Sequence, residues 1–461
     1  MSGAFRGERA VVVGFGISGR AAAHVLLEEG ADVWVSEART PAELNESLRS
    51  EDPSEDPVGL PEVRVFAGGH QQEHLDRATM VVVSPGVREG APIVRWARDR
   101  GLPVVGEMDL GARLCTVPFV AVTGTNGKTT TTEMIAAMMR ASGLEARACG
   151  NVGYPFSVAA REPHQALAVE ASSFQLAFQE SLHPRVSVLL NIAPDHLDWH
   201  GSFAAYADAK ARIFALQSGD DVHVGNRDDA DGARVSKRAP CTVRWFGGFA
   251  PGGGDVGVEG DRVVYAGGGG SIDLGAPRET NRTTLSDAAA AAAAGLAFGL
   301  PEDAVRAGIG SFEPLPHRGS VVAKARSIRF IDDSKATNPH AALAALAGLE
   351  RVVLIAGGRA KGVDLSPLGA AAPRLVVVVA IGEAAPAIEE IFRGRVPTHR
   401  AASIEEAVSR AFDEAPPGSA VVLAPACASQ DMFRDYRERG DRFTAAARAL
   451  AARFPATIPS R

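Results

Sequence analysis

Phe119-Val-Ala-Val-Thr-Gly-Thr-Asn-Gly-Lys-Thr-Thr130 decides the fold of this chain. The apolar β-formers Phe119 to Val122 predict a strand, and Gly124, Asn126 and Gly127 predict a turn. Met134, Ile135, Met138 and Met139 follow at helical spacing and predict an amphipathic helix. Strand, glycine-rich turn, Lys-Thr and helix, in that order, form a phosphate cradle. Glycines let backbone N–H groups approach phosphate, and the helix N-terminus adds partial positive charge. Lys128 can reach the β and γ oxygens, and the Thr129 hydroxyl can sit on Mg²⁺. The general rule places a further glycine five positions before Gly127, where this chain has Val122. The alternative is a glycine-rich turn that holds no nucleotide.

Outward from this stretch, 461 residues suggest roughly three domains. Hydrophobic content of 46% and charged content of 22% are those of a globular protein. Net charge is −7 and no basic block occurs, which argues against nucleic acid or an anionic membrane as partner. Cys115, Cys149, Cys241 and Cys427 include no C-x-x-C pair, so neither a disulfide framework nor a zinc site is expected, and a reducing, cytoplasmic setting fits. No signal peptide is read, because the first apolar run, Ala10 to Val13, leads directly into glycines. The longest apolar stretch, about 13 residues from Ala288 to Leu300, falls short of the ~18 needed to span a bilayer.

The first unit, residues 1–113, opens as strand, Gly14-Phe-Gly16-Ile-Ser-Gly19, helix and strand, ending at Ser36-Glu37-Ala38-Arg39. This is a dinucleotide-type fingerprint that should bind a diphosphate at the helix start, with Glu37 or Arg39 near a sugar or base. NAD(P), another diphosphate such as a UDP-sugar, and a bare βα turn all remain open. Further strands are expected at Val63–Phe66, Met80–Ser84 and Val104–Gly106.

The second unit, residues 114–315, starts with the phosphate loop. Strand Ala166–Glu170 ends in a carboxylate well placed for Mg²⁺ or simply solvated. Strand Val186–Ile192 leads to Asp195-His196-Leu-Asp198, where His196 is either a metal ligand or an ordinary loop histidine. The next helix carries Phe203, Tyr206, Lys210, Ile213 and Phe214, whose spacing puts Lys210 on the apolar face. Either Lys210 snorkels to the surface, or it is buried, where a cation is costly, and its amine is used chemically. Residues 218 to 280 are loosely patterned, with turns at 247–254 and 267–270 around short strands such as Val263–Tyr265. An alanine-rich helix follows at Ala288–Ala294.

The third unit, residues 316–461, alternates apolar strands with helices. Polar clusters follow the strands: Asp332-Asp-Ser-Lys335-Ala-Thr337-Asn338, Gly357-Gly-Arg-Ala-Lys361 and Pro425-Ala-Cys-Ala-Ser429. That pattern predicts a doubly wound parallel sheet with ligands at the strand C-termini.

Taken together these motifs resemble the ATP-dependent Mur ligases of peptidoglycan assembly, over all three units. Thr123-Gly-Thr-Asn-Gly-Lys-Thr129 looks like the family phosphate loop, Val122 included. Asn151-Val-Gly, Glu170-Ala-Ser-Ser173, Asp195-His196-Leu-Asp198 and Tyr206-x-x-x-Lys210 look like its central motifs. His317-Arg318, Asp333-Ser-Lys-Ala-Thr-Asn338 and Pro425-Ala-Cys-Ala-Ser429-x-Asp-x-Phe433 look like the member that adds D-glutamate.

The resemblance implies three α/β domains: an N-terminal Rossmann-like domain, a central P-loop domain and a C-terminal Rossmann-like domain. It implies an amide ligase of the cytoplasm, monomeric and not inserted in a membrane, that uses ATP and Mg²⁺. Its substrates would be UDP-N-acetylmuramoyl-L-alanine and D-glutamate, joined through an acyl phosphate. It assigns Gly124 to Thr130, Asn281, Arg318 and Asp333 to ATP. Lys128, Glu170, His196 and Lys210 are assigned to catalysis, with Thr129, Glu170, His196 and a carbamate on Lys210 at metal. UDP falls to Ile17, Ser18, Glu37 and Arg39, and Asn151 and Ser172 are assigned to substrate binding. D-glutamate falls to Thr337, Lys361 and Ser429; Lys335 and Tyr436 are also assigned to substrate binding, Tyr436 standing where the family often has Phe. One motif departs: the family's His-Asn-x-x-Asn on the adenine side aligns with Thr283-Thr-Leu-Ser-Asp287, with Asn281 upstream.

A nicotinamide-dependent oxidoreductase would explain Gly14, Gly16, Gly19 and Glu37 but not Lys128, Glu170 or Lys210. A non-catalytic nucleotide-binding regulator is the other rival class. Within the ligases, folate-type polyglutamate ligases share the central domain but lack the Asp333–Asn338 and Pro425–Phe433 patterns.

Overall fold

A computed structural model of the chain describes residues 3–50, 58–151, 153–248, 255–267, 270–278 and 280–455. It contains three α/β sheets in two compact units. The first unit comprises Met1–Ile192, Ala204–Pro277 and Leu285–Phe312; the second comprises Ala193–Phe203, Arg278–Thr284 and Glu313–Arg461.

In the first unit, β1 (Arg9–Val13), β2 (Asp32–Glu37), β3 (Arg64–Ala67), β4 (Met80–Val83) and β5 (Val104–Gly106) make a parallel sheet in the order β3-β2-β1-β4-β5. The strand order reverses between β1 and β4, where such sheets bind ligands. The turn after β1 requires its third fingerprint glycine, since a Cβ on Gly19 would lie 2.0 Å from the Gly14 carbonyl oxygen. Close packing of the helix Ile17–Glu28 on β1 follows from that missing Cβ.

The second sheet of this unit has nine strands in the order β14-β13-β12-β11-β10-β9-β6-β8-β7. These are β6 (Phe119–Thr123), β7 (Ala146–Gly150), β8 (Ala166–Glu170), β9 (Val186–Leu189), β10 (Val222–Asn226), β11 (Thr242–Phe246), β12 (Val256–Glu259), β13 (Arg262–Gly267) and β14 (Gly270–Gly275). Five of them, β10 to β14, come from the loosely patterned 218–280 stretch. The last three pair antiparallel, with exposed residues that mask an apolar run. Residues 249–254 and 268–269, where turns were read, lie outside the described residues. β9 stops at Leu189, three residues before the predicted strand end, because Asn191 turns inward to bond the phosphate loop. The two sheets of this unit are tied by buried Asp109, which accepts bonds from the Glu180 and Ser181 amides at 2.7 Å.

The second unit carries β15 (Ser320–Ala325), β16 (Ile328–Asp332), β17 (Val352–Gly357), β18 (Leu375–Ile381), β19 (Thr398–Arg400) and β20 (Ala420–Leu423), in the order β15-β16-β20-β17-β18-β19. All pairs are parallel except the antiparallel edge strand β15. All six residues of β17 are buried, because helices cover both faces of the sheet. Its side chains alternate between two apolar layers, Leu354 in one and Ile355 in the other. Each such fully buried side chain contributes about 1.5–3 kcal/mol.

Candidate active site

In the first unit the site is built at the C-terminal ends of β6 and β8. The Gly124–Gly127 loop leaves β6, and the helix Lys128–Ala141 begins directly after it. The loop is held from beneath. The Asn191 side-chain oxygen accepts from the amides of Thr125 (3.1 Å) and Asn126 (2.9 Å). The Thr125 hydroxyl meets the Tyr206 hydroxyl at 2.9 Å. Gly127 has φ +85°, and a Cβ there would lie 2.2 Å from Asp287 Oδ1. This turn therefore requires glycine on two counts. Thr129 and Thr130 occupy the first turn of the helix, whose leading N–H groups have no carbonyl of their own turn to bond.

Two lysines converge on one carbonyl. Lys128 Nζ donates to Gly124 O and Thr125 O, each at 2.9 Å. Lys210 Nζ donates to the same Gly124 O at 2.7 Å and lies 4.6 Å from the Tyr206 ring centroid. Lys210 is 1% exposed, so it does not snorkel. The helix Phe203–Ala211 carries it inward, and the predicted continuation through Ile213 and Phe214 tightens to a 3-10 turn.

Glu170 closes β8 and is buried, so its carboxylate is not a solvated strand end. Its Oε1 accepts from Asn151 Nδ2 at 2.8 Å. Register pairs Val122 with Glu170, which sets the carboxylate beside the strand two residues before the phosphate loop begins at Gly124. Burial, with Glu170 as a nearby like charge, pushes the Glu133 carboxyl above its ordinary value. Ser172 caps the short helix Ser173–Ala177, its hydroxyl bonding Gln175 Oε1 at 2.8 Å.

At the first sheet, Ile17 and Ser18 open the helix after the fingerprint turn. Burial alone would raise the Glu37 carboxyl, but bonds from Arg39 and from the Phe15 amide (2.8 Å) hold it below its ordinary range. Glu37 and Arg39 thus form one strut between the ends of β1 and β2, with Arg39 also donating to Ser47 at 2.8 Å.

In the second unit a second constellation forms. Lys361 Nζ donates to Asp195 Oδ1 at 2.7 Å, and Asn338 Nδ2 donates to Asp195 Oδ2 at 3.1 Å. Asp195 is 5% exposed. Burial opposes its charge, yet Lys361, His196 and Asn338 together hold its carboxyl below the usual range. His196 and Lys361 both adopt left-handed backbone, at φ 53° and 55°, which is uncommon without glycine. The His196 ring is 34% exposed, with Nε2 3.7 Å from Asp195.

Asn281 accepts from the Thr284 amide at 2.8 Å as the helix Arg282–Phe298 begins. A Cβ on Gly319 would lie within 4 Å of both Asn281 and Asp333, so Asn281 and Asp333 flank the Arg318–Gly319 peptide. Burial pushes the Asp333 carboxyl up to about 7 despite the Arg318 charge. Lys335 Nζ lies 3.9 Å from the Tyr436 ring centroid. Thr337 and buried Ser429 lie on the loops that leave neighbouring strands β16 and β20.

The structure therefore brings Gly124 to Thr130, Asn151, Glu170 and Lys210 to one sheet edge. Asp195, His196, Asn281, Arg318, Asp333, Lys335, Thr337, Lys361, Ser429 and Tyr436 lie in the other unit. Asn191, Asp195 as a partner of Lys361, Tyr206 as a partner of Thr125, and Asp287 against Gly127 escaped the assignment of site residues. Their contacts span long sequence separations that no local pattern signals. Among the described residues no three His, Cys, Asp or Glu side chains form a metal cluster.

Comparison with known proteins bears on the same residues. The description "Mur ligase middle domain" matches residues 122–254, "Mur ligase, glutamate ligase domain" matches 317–427, and "Mur ligase MurD-like, N-terminal domain" matches 8–106. The UDP-N-acetylmuramoylalanine--D-glutamate ligase of Frankia casuarinae is 43% identical over 95% of this chain and 93% of its own length. That of Salinibacter ruber is 39% identical over 95% of this chain and 97% of its own. Among solved structures, MurC of Thermotoga maritima shares the fold, with a TM-score of 0.59 at 18% identity over 96% of this chain and 99% of its own. A MurF structure from Acinetobacter baumannii gives 0.60 at 18% identity over 96% and 90%. With three family matches laid end to end along it, and relatives aligned over nearly its whole length, this chain belongs to the Mur ligase family.

Proposed function

We propose that the chain is an ATP-dependent amide ligase that joins D-glutamate to UDP-N-acetylmuramoyl-L-alanine, a step of peptidoglycan precursor synthesis. The convergence of Lys128 and Lys210 on Gly124 O carries this proposal. Two amines held at the end of a phosphate-type loop are placed to meet a γ-phosphate and a substrate carboxylate. The names of the relatives support the choice of substrates.

In this account Lys128 binds the transferring phosphoryl group as the L-alanyl carboxylate attacks it, giving an acyl phosphate and ADP. The D-glutamate amine then attacks the acyl carbon. The tetrahedral adduct expels phosphate, loses the amine proton and leaves an amide. Thr129 and Glu170 supply hard oxygen ligands beside the phosphate loop, as Mg²⁺ requires. Mg²⁺ held by them would neutralise phosphate charge. His196 is the further candidate ligand. Lys210 would first lose its ammonium proton and then add to CO₂ with release of a second, so that a buried cation becomes a carbamate anion. Ile17, Ser18, Glu37 and Arg39 would hold UDP, with Asn151 and Ser172 along the same substrate. Asn281, Arg318 and Asp333 would hold the nucleotide. Lys335, Thr337, Lys361, Ser429 and Tyr436 would hold D-glutamate, Lys361 exchanging Asp195 for a substrate carboxylate. The same account divides the chain after residues 113 and 315 and treats it as a cytoplasmic monomer; among the described residues no helix is long and apolar enough to cross a membrane.

Phosphate release tests the proposal. It should require ATP, UDP-N-acetylmuramoyl-L-alanine and D-glutamate together, and L-glutamate should not substitute. Release that ignores the amino acid would argue for a different acceptor.

A further inference from the structure

Arg439 lies in the helix Tyr436–Arg453 and is 0% exposed. A fully buried guanidinium is usually bonded to a carboxylate, because removing its charge from water is costly. This one makes its hydrogen bonds to neutral groups. Nε donates to Ser334 Oγ at 2.9 Å, Nη2 to Ser334 O at 2.7 Å, and Nη1 to Cys427 O at 3.1 Å. Ser334 Oγ in turn donates to the Tyr436 carbonyl at 2.7 Å. Burial lowers the pKa of the guanidinium to about 10, against the opposing influence of Cys427, Asp431 and Asp332.

The two main-chain acceptors belong to different loops. Ser334 lies in the loop after β16, which carries Lys335 and Thr337. Cys427 lies in the loop after β20, which carries Ser429. β16 and β20 are parallel neighbours, so both loops leave the same sheet edge. One backbone bond already joins them, from Ala426 N to Ala336 O at 2.8 Å. Ala426 adopts φ 59°, a conformation an alanine keeps only when its surroundings enforce it. A rigid planar fork with donors on two sides can fix the separation of two carbonyls; an ammonium on a flexible stem cannot. An apolar residue would fill the same space at lower cost. The expensive group is therefore placed where it sets loop geometry.

We propose that Arg439 is the positioning residue of the acceptor amino-acid site. By pinning the Ser334 and Cys427 main chains, it sets Thr337 and Lys335 opposite Ser429 at the spacing a dicarboxylic amino acid needs. This rests on the placement of D-glutamate at those residues.

The test uses full-length Arg439→Lys and Arg439→Met, with Ser429→Ala as a direct-contact control, and reads KM for each substrate. Arg439→Lys keeps the charge and loses the fork. It should raise the KM for D-glutamate about tenfold, roughly 1.4 kcal/mol. The KM for ATP and kcat should stay within about threefold of wild type, a difference under 1 kcal/mol. Arg439→Met should shift the D-glutamate KM further in the same direction, and millimolar guanidinium should partly restore it while leaving Ser429→Ala unchanged. Should the Met variant not fold, Arg439→Lys decides alone. Equal changes in both KM values, or a D-glutamate KM within twofold of wild type, would overturn the inference. A failure of the functional assignment itself looks different: Ser429→Ala would then leave the D-glutamate KM untouched.

Discussion

Gly127→Ala should damage the phosphate loop by an amount that can be split into two parts. The first is backbone strain. Gly127 sits at φ +85°, and a left-handed conformation costs an L-residue about 1–2 kcal/mol. The second is steric. The new Cβ would lie 2.2 Å from Asp287 Oδ1 and 3.0 Å from its Cγ, so Asp287 must move. Overpacking of this kind costs about 1–3 kcal/mol. The total is about 2–5 kcal/mol. Gly143→Ala separates the parts, because Gly143 has φ +89° and nothing within 4 Å of its Cβ position. It should cost only the backbone share, about 1–2 kcal/mol. Urea unfolding of the two variants gives the difference. Adding Asp287→Ala to Gly127→Ala should return the steric share, and the double-mutant cycle removes the cost of Asp287→Ala itself. If Gly127→Ala is no worse than Gly143→Ala, or if Asp287→Ala brings no relief, the packing account of this turn is wrong.

Three further outcomes are expected. Lys210→Ala should be nearly inactive and partly restored by acetate or formate, which supply an oxyanion in the vacated space; Lys210→Arg should stay inactive, and wild-type activity in the Arg variant would remove the carbamate from the account. Ser429→Ala should raise the KM for D-glutamate more than that for ATP, since charge-assisted bonds to carboxylate are the strong ones; equal effects would make Ser429 a packing residue. The Asp333 carboxyl, pushed up to about 7 from 3.8 by burial, binds its proton more tightly folded than unfolded. Its contribution is therefore full at low pH and is lost as pH rises from about 4 to about 7. Asp333→Asn should flatten that decline in melting temperature, and an unchanged slope would place the titration elsewhere.

The sequence made the phosphate loop legible because all its parts are local. A strand, two glycines, Lys128 and an amphipathic helix lie within a few turns of chain, and the structure keeps that order. Lys210 was legible as an inward residue from helical spacing alone, but not its approach to Gly124 O, 86 residues away. The same holds for Asp195, 166 residues from Lys361, and for Arg439, 105 residues from Ser334. Such pairings are fixed by sheet order, and sheet order depends on crossovers that no window of sequence contains. The strands β10 to β14 were hard to see for another reason. In β11 and β14, exposed residues outnumber the deeply buried ones, which leaves little apolar pattern to read. β17 and β18, enclosed in the second unit's sheet, gave nearly unbroken apolar runs and were plain.

The acyl phosphate is the core of the proposed chemistry, and isotope transfer tests it most directly. UDP-N-acetylmuramoyl-L-alanine carrying ¹⁸O in both carboxylate oxygens is turned over with ATP and D-glutamate, and the phosphate and amide products are weighed by mass spectrometry. Attack of the carboxylate on the γ-phosphoryl group predicts one ¹⁸O in each released phosphate and one in each new amide carbonyl. Unlabelled phosphate beside an amide product would show that ATP cleavage and amide formation share no intermediate, contradicting the account.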